Sequence, residues 1–430
     1  MKTKIYTLCA VIILSITSCT SSSEKITDIN DYNNYLQLAE NKTLQKAQEE
    51  NKFWKEKFKE NPSQFPYLIK IASSHSNLFE TQGTINDLKK AEKNLIQANQ
   101  ITNYNNSTYL RSLATNYISQ HKFKEALELL TKAELNGDKL EATQKMLFDV
   151  HLELGNYTTA QQYMIKFKDF NDFDYLIRFS KWCDHEGNLD AAIKYMEKAK
   201  KIAESSNVPS IKQWVFTNLA DYYGHAGYIK KSYNHYLKAL ELNPNDVYSK
   251  KGIAWIVYSY EKNPDEALRI LNTITANYHA PDYYLLKAEI AEFKGDFASK
   301  KEQIKLYENA MKDTAYGDMY NKYNVLLYSD EPTKIKKAIE LAEIEINNRP
   351  TTESYDLLAW AHFNNGDLKK ALNIVENHVK NKTSEPEALY HIAQIYKANG
   401  ITSEIKDLKE ELLSSVYELG PIMENEIKKI

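Results

Sequence analysis

The feature of this sequence that most restricts its fold is a pair of small residues held at a fixed spacing and repeated along the chain. In residues 355–379, YDLLAWAHFNNGDLKKALNIVENHV, Ala359 and Ala371 stand twelve residues apart with Gly366 between them. A small side chain near the middle of each of two helices lets the helix axes approach closely. The spacing therefore predicts two helices in tight contact.

The residues around these alanines predict an αα-hairpin. From about Ser354 to Asn364, apolar residues recur at the three-and-four spacing of an amphipathic helix. The segment Asn365-Gly366-Asp367 then favours a tight turn, since Gly readily adopts the positive φ that ends a helix. A second apolar stripe begins at Leu368 and passes through Ala371. The two stripes form the facing sides of one hairpin.

The same pattern recurs along most of the chain, which indicates a repeat protein because one hairpin cannot bury both of its faces. Residues 109–133 and 213–244 are the clearest further copies, and weaker copies follow in the same frame. This register resembles the tetratricopeptide repeat (TPR), whose period is about 34 residues. The resemblance implies an all-α fold, a right-handed α-solenoid of tandem TPR helical hairpins. In this frame the segment TQGTIND, residues 81–87, is interpreted as an inter-helix loop that is several residues too long.

The repeat frame predicts five segments. About ten repeat units occupy residues 65–417, and an N-terminal helical cap at 31–64 precedes them. Residues 418–430 are expected to form a C-terminal tail or capping segment. Before the cap we expect a lipoprotein signal peptide at 1–18 and a flexible tether at 19–30.

The N-terminus carries the pattern of a secretory signal, with Lys2 and Lys4 before an apolar run too short to span a bilayer. Its last residues, Ile16-Thr17-Ser18-Cys19, resemble the lipobox of bacterial lipoproteins, and this implies that Cys19 carries a lipid that anchors the protein in the membrane. The alternative is an ordinary signal peptide with an incidental cysteine. The polar stretch after Cys19 has nothing apolar to bury and is expected to be flexible. Thr20, by the sorting rule of some lipoproteins, favours the outer membrane, with the periplasmic or surface-facing side left open.

Composition argues against nucleic acid and against catalysis. The formal net charge of −3 is too balanced to attract a polyanion, and few of the 55 basic residues are arginines, the side chain best suited to phosphate. Cys183, the one cysteine outside the signal and the lipobox, is expected to be a small buried residue. The sequence has no HExxH and no glycine-rich phosphate loop. We therefore expect no cofactor, no metal and no enzymatic activity, and no room for the catalytic domain of a lytic transglycosylase.

The family resemblance assigns the concave face of the solenoid to four positions in each first helix, and these positions select acids and aromatic residues. An acidic groove of this kind should favour a basic or neutral extended segment. Trp360 is interpreted equally as a binding anchor or a packing residue, whereas Trp214 and Trp255 are interpreted as packing residues. The selected residues expected to bind a partner are Asp221, Glu289, Glu292, Glu353, Asp356, Trp360, Phe363, Tyr390 and Gln394.

These observations predict a non-enzymatic scaffold, a lipid-anchored TPR adaptor of the bacterial cell envelope that binds protein or peptide partners on its concave face. The alternative is a glycan-binding outer-membrane lipoprotein of a polysaccharide-uptake system. Such proteins combine a few TPR hairpins with long irregular segments that hold the sugar. In this sequence the only clearly extended loop is the one predicted at 81–87, which favours the adaptor.

Overall fold

The computed structural model describes residues 25–37 and 40–430, so the predicted signal segment and Cys19 lie outside the described residues. Within these ranges the chain forms helices and turns, with no β-strand. The predicted all-α solenoid of helical hairpins is confirmed. No helix in the described part of the chain is both long enough and apolar enough to cross a membrane.

The described residues form two leading helices, ten helical hairpins and two short closing helices. The leading helices are α1 (Ile29–Leu36) and α2 (Lys42–Glu60). The hairpins are α3 (Tyr67–Gln82) with α4 (Ile85–Ile101), α5 (Ser107–Ser119) with α6 (Phe123–Asn136), α7 (Leu140–Glu153) with α8 (Tyr157–Lys166), α9 (Phe173–His185) with α10 (Leu189–Ser205), α11 (Pro209–His225) with α12 (Ile229–Leu242), α13 (Val247–Trp255) with α14 (Pro264–Thr275), α15 (Asp282–Phe293) with α16 (Phe297–Ala310), α17 (Asn321–Ser329) with α18 (Ile335–Asn348), α19 (Thr352–Asn364) with α20 (Leu368–Ile374), and α21 (Pro386–Ala398) with α22 (Ile405–Ser414). The closing helices are α23 (Val416–Leu419) and α24 (Pro421–Lys429). A π-helical segment, Ile256–Tyr260, continues α13, and another, Val375–Val379, continues α20.

Small residues lie where the two helices of a hairpin meet. Ala359 and Ala371 are both fully buried between α19 and α20, and Ala114 and Ala126 are fully buried between α5 and α6. The turn after α19 contains Gly366 at a φ of 85°, a conformation that costs residues with a Cβ more than it costs Gly. The spacing of small residues thus predicts the hairpin contacts correctly.

The predicted long loop at 81–87 is wrong. Helix α3 continues to Gln82, and only Gly83 and Thr84 separate it from α4. The extra residues lengthen the helix, and the hydroxyl of Thr81 donates to the carbonyl of Asn77 at 2.8 Å within its last turn. Gly83, at a φ of 68°, then ends the helix with its N–H donating to Phe79 O at 2.7 Å.

Contacts between the N-terminal residues and the repeats begin at Ile26, inside the segment predicted as a flexible tether. The backbone N–H groups of Ile26 and Thr27 donate to the Glu261 carboxylate at 2.7 and 2.6 Å. Helix α1 packs against α12 and α14, whereas α2 packs against α3. Residues 25–30 are therefore docked rather than part of a free tether, and the segment expected as one cap at 31–64 contacts two separate parts of the solenoid.

Successive turns of the solenoid touch, because hairpins six units apart lie against each other. The N–H of His279, just before α15, donates to the carbonyl of Gln82 at the end of α3 at 2.8 Å. Arg349, just before α19, lies 3.5 Å from the Glu153 carboxylate at the end of α7. The concave face is therefore partly enclosed, and differs from the long open surface that the sequence pattern predicts.

Candidate functional site

The inner groove, which we define as the surface formed by the first helix of each hairpin, is the candidate binding site. First helices of neighbouring hairpins contact each other directly, as in α11 with α13, α17 with α19 and α19 with α21. Such contacts place the first helices on the inner side of the curvature, where successive hairpins are closest. The predicted binding residues form an aromatic cluster near the C-terminus, charge pairs at Glu353 and Glu292, and a central cluster around a cavity.

The cluster nearest the C-terminus is an aromatic stack over a buried ion pair. The Asp356 carboxylate is 2.8 Å from His391 Nδ1, and both side chains are buried. Burial opposes the charged imidazole, but the nearby Asp356 carboxylate overcomes this and raises the pKa of His391. The ring of Trp360 stacks on His391 at 4.1 Å and on Phe363 at 5.1 Å. Asp356 is therefore a packing residue, not the exposed groove residue that the sequence frame predicts, and Trp360 is half-buried.

Two other predicted residues of this region form a polar contact beside the stack. The amide of Gln394 donates to the hydroxyl of Tyr390 at 2.9 Å. The Tyr390 ring lies 6.1 Å from the Trp360 ring. Both side chains remain half-buried, so part of each faces the groove.

Two of the predicted groove acids, Glu353 and Glu292, are paired with basic residues. Glu353 accepts from Lys322 at 2.8 Å and from Arg349 at 3.2 Å. Burial would raise the pKa of Glu353, but these two cations hold it below its ordinary value. Glu292 is likewise paired with Lys300 at 2.7 Å. At Glu353 and Glu292 the predicted acidic groove thus consists of paired charges.

The central cluster surrounds a cavity of ≈ 360 Å³. Asp221 accepts from the hydroxyls of Tyr236 at 2.5 Å and Tyr248 at 2.7 Å. Burial raises the pKa of Asp221 even though both hydroxyls donate to it. Tyr248 is 51 % exposed and presents its ring to the groove. The cavity is lined by Asp221, His225, Tyr236, Tyr248, Lys251, Gly252, Trp255, Leu286, Glu385, Tyr417 and Glu418.

Glu289, another predicted residue, lies at the edge of this central cluster. The Tyr258 hydroxyl donates to its carboxylate at 3.0 Å. Burial raises the pKa of Glu289 to about 7. A Cβ added to Gly420 would come within 2.6 Å of the same carboxylate, so the C-terminal part of the chain passes directly over it.

The C-terminal segment, residues 416–424, is the part of the site that the sequence interpretation missed. The carbonyl of Tyr417 accepts from Trp255 Nε1 at 3.0 Å and from the Ser259 hydroxyl at 2.7 Å. Its ring lies against Gly224, where an added Cβ would meet Tyr417 Cε1 at 2.9 Å. Gly224, in the last turn of α11, is a sequence signal for such a close approach.

Carboxylates crowd the point at which this segment enters the groove. Burial, followed by repulsion from Glu385 and Asp184, raises the pKa of Glu418 to about 8. Burial and Glu385 also raise the pKa of Asp184 to about 6. His225 Nδ1 is 3.8 Å from the Glu418 carboxylate, but burial lowers the pKa of this imidazole, so it is largely neutral at pH 7.

These contacts suit recognition of a polar and aromatic ligand. Among the described residues, no group of three or more His, Cys, Asp or Glu side chains is arranged to hold a metal ion. Cys183 is buried, and burial raises the pKa of its thiol. Trp214, expected to pack, is 43 % exposed on α11. Trp255, also expected to pack, is half-buried and donates to the C-terminal segment.

Comparison with known families identifies part of the array. The tetratricopeptide repeat model matches residues 175–206, which cover most of α9 and all of α10, and residues 215–246, which cover most of α11 and all of α12. These two segments are tetratricopeptide repeats. The resemblance to this repeat is confirmed for them. Tetratricopeptide scaffolds are in general non-enzymatic and bind protein partners.

Other comparisons give only distant likenesses. A search of curated proteins finds no match. The human IFIT1 dimer with PPP-AAAA is similar over 73% of this chain and 72% of its own, at 12% identity and a TM-score of 0.47. Yeast Tom70 is similar over 93% of this chain and 94% of its own, at 15% identity and a TM-score of 0.36. A tetratricopeptide repeat protein from Parabacteroides merdae is similar over 60% of this chain and 97% of its own, at 14% identity and a TM-score of 0.35. Likenesses at these scores carry no argument about function.

Proposed function

We propose that this protein is a non-enzymatic adaptor that binds a segment of a partner protein in its inner groove. The observation that carries the proposal is the central cavity of ≈ 360 Å³, in which the exposed Tyr248 ring, the half-buried Trp255 ring and hydrogen-bonded polar groups converge on the concave side of the array. Aromatic side chains beside a few oriented polar groups are typical of binding sites for peptides. Burial raises the pKa of Asp221, Glu289 and Glu418 around the cavity, so these carboxyl groups carry less charge than their number suggests, which favours a segment of low net charge.

The adaptor is further proposed to act at the bacterial cell envelope, held by a lipid on Cys19 and residing in the outer membrane. The support is the resemblance of residues 16–19 to a lipobox. Metabolic labelling with palmitate tests this part of the proposal. The full chain should incorporate label, and the Cys19→Ala variant should not. Equal labelling of both would overturn the anchor.

Site-specific photocrosslinking in intact cells tests the binding role. A crosslinking phenylalanine analogue at Tyr248, on the groove side of α13, should capture a defined protein. The matched control carries the same analogue at Leu135, which is 83 % exposed on the second helix α6. Capture of the same proteins from both positions would refute binding in the groove. If position 248 captures no protein and the purified protein instead binds a defined glycan in calorimetry, the polysaccharide-uptake alternative is correct.

A further inference from the structure

The C-terminal segment enters the groove in the manner of a bound peptide. Helix α23 has only four residues and contacts α11, α21 and the π-helical segment after α13. Its contacts with Trp255 and Ser259 join residues that are 162 and 158 positions apart in the chain. Both side chains donate to one main-chain carbonyl, that of Tyr417. Main-chain recognition of this kind does not depend on the identity of the side chain that carries the carbonyl.

The π-helical segment explains how two donors reach the same carbonyl. Trp255 and Ser259 are four residues apart and therefore lie on one face of the helix. The helix widens at this point, where the N–H of Glu261 donates to Ile256 O at 3.1 Å in the i to i+5 pattern. Single π-turns inside α-helices are frequent at functional sites. The widened turn lies in the first helix of its hairpin and faces the groove.

The side-chain part of this contact needs a gap in a neighbouring helix. Gly224 supplies it, because its missing Cβ leaves the space that the Tyr417 ring occupies. Gly224 lies in the last turn of α11, and the Tyr417 ring packs directly against it. An aromatic residue in the bound segment is therefore matched by a specific feature of the groove.

The contacts of α24 show that the two parts of the C-terminus have different roles. Ile427 is fully buried in the same core as α21 and α22, so α24 caps the last hairpin. Tyr417 is only half-buried, and ≈ 360 Å³ of the cavity beside it remains open. The cap does not require Tyr417 to enter the groove.

We propose that the groove between α11, the π-helical segment and α15 is a peptide-binding site that the chain occupies with its own residues 416–420. In binding, a partner segment with an aromatic residue displaces the chain's own segment, contacts Gly224 with the ring and offers a main-chain carbonyl to Trp255 and Ser259. This assignment rests on the proposed adaptor function and names the class of partner, a short peptide segment of low net charge.

A peptide-binding measurement in trans tests the assignment. The probe is a fluorescent peptide with the sequence of residues 413–423, LSSVYELGPIM, measured by fluorescence anisotropy against the full mature chain. The Tyr417→Ala protein should bind the probe roughly tenfold more tightly than the unchanged protein, because its own segment no longer competes. A probe with alanine in place of its tyrosine should bind at least roughly tenfold more weakly. Absence of probe binding to the Tyr417→Ala protein overturns the assignment.

Two variants of the groove guard against a folding artefact. Gly224→Ala fills the space for the ring while favouring the helix, so the protein should keep its thermal stability and lose probe binding. In the same variant, hydrogen exchange of residues 416–420 should become faster. Ser259→Ala removes one of the two donors to the main-chain carbonyl and should weaken the affinity for the probe roughly fivefold. Unchanged probe binding in Gly224→Ala refutes the site.

The outcome also separates this inference from the proposed function. If Gly224→Ala abolishes probe binding but crosslinking at position 248 of the same variant still captures the same protein, the adaptor function stands and the assignment of the partner to this peptide site is wrong. If crosslinking captures no protein while the probe binds as expected, the chain's own segment is the ligand and the adaptor function is wrong.

Discussion

Replacing Glu418 with glutamine should make the docking of the C-terminal segment less dependent on pH. The Glu418 side chain is 20 % exposed, and burial together with Glu385 and Asp184 raises its pKa from 4.5 to about 8. An acid whose pKa is raised by docking holds its proton more tightly when docked. Docking is therefore strongest at low pH, weakens as pH rises from 4.5, and is weakest above pH 8.

The size of the effect follows from the pKa difference. Each pKa unit corresponds to about 1.4 kcal/mol, so the upper limit above pH 8 is about 5 kcal/mol. Water in the open part of the cavity screens the repulsion, and we expect about 1–3 kcal/mol in practice. Because the segment can detach without unfolding the hairpins, the change should appear as local opening rather than global unfolding.

Hydrogen exchange measured by mass spectrometry over residues 416–424 reports this opening, after correction for the intrinsic pH dependence of exchange. Protection of the unchanged protein should fall from pH 6 to pH 9. In Glu418→Gln protection should be higher at pH 9 and should change less across the range. Titration of Glu289, whose pKa rises to about 7 beneath the same segment, accounts for the pH dependence of protection that remains in Glu418→Gln. The reasoning is refuted if protection rises with pH or if Glu418→Gln keeps the full slope.

Glu424 provides the matched control, because its pKa is shifted in the opposite direction. Its carboxylate accepts from Lys262 and Lys428, both at 2.6 Å, and these hydrogen bonds lower its pKa to about 2. A lowered pKa contributes stability above pH 4.5 that is lost as pH falls towards 2. Glu424→Gln should therefore loosen the segment between pH 6 and 9 without reducing its pH dependence.

Three further substitutions test the packing of the solenoid. Gly252→Ala should lower the urea midpoint, because the new Cβ overlaps the Tyr236 ring and the cost of about 1–3 kcal/mol exceeds the gain in helix propensity. Ala371→Leu should lower the thermal midpoint, with a loss of unfolding free energy of about 1–3 kcal/mol, since the fully buried contact with Ala359 has no room for a larger side chain. An unchanged midpoint would refute the close contact. Arg349→Ala should destabilise by about 1–3 kcal/mol in calorimetry, because it leaves the buried Glu345 carboxylate without its cation and removes a contact with Glu153 of the preceding solenoid turn.

The sequence predicts the local contacts of this fold much better than its long-range contacts. Ala359 and Ala371 identify a hairpin because residues within one repeat unit set the distance between its two helices. Gln82 shows the limit of this reasoning, since α3 runs to Gln82 and ends only at Gly83, whereas the repeat frame predicts a loop there. The exposure of Asp356 was predicted wrongly because its partner, His391, belongs to the next hairpin.

The contact between Tyr417 and Trp255 could not be predicted from periodicity, since it depends on how far the solenoid curves over the four hairpins, α15 to α22, that separate them. That curvature is the sum of small rotations between neighbouring repeats, none of which is set by a single residue. Gly224, in the last turn of α11, is the sequence signal that was available, whereas Gly252 makes room for the Tyr236 ring of the neighbouring α12. A glycine outside a turn in a repeat array indicates that something packs closely against that helix.

The enclosed groove and the bound C-terminal segment together restrict what the proposed adaptor can accept. A cavity of ≈ 360 Å³ has room for a few side chains but not for a folded domain, and contacts between hairpins six units apart close the groove from the side. The partner must therefore supply an extended or unfolded segment. Such a segment loses conformational entropy on binding and must also displace residues 416–420. Its apparent affinity is therefore the intrinsic affinity multiplied by the fraction of molecules in which the groove is free. Release of the C-terminal segment, which the carboxyl groups around Glu418 favour at higher pH, then controls how much of the protein can bind.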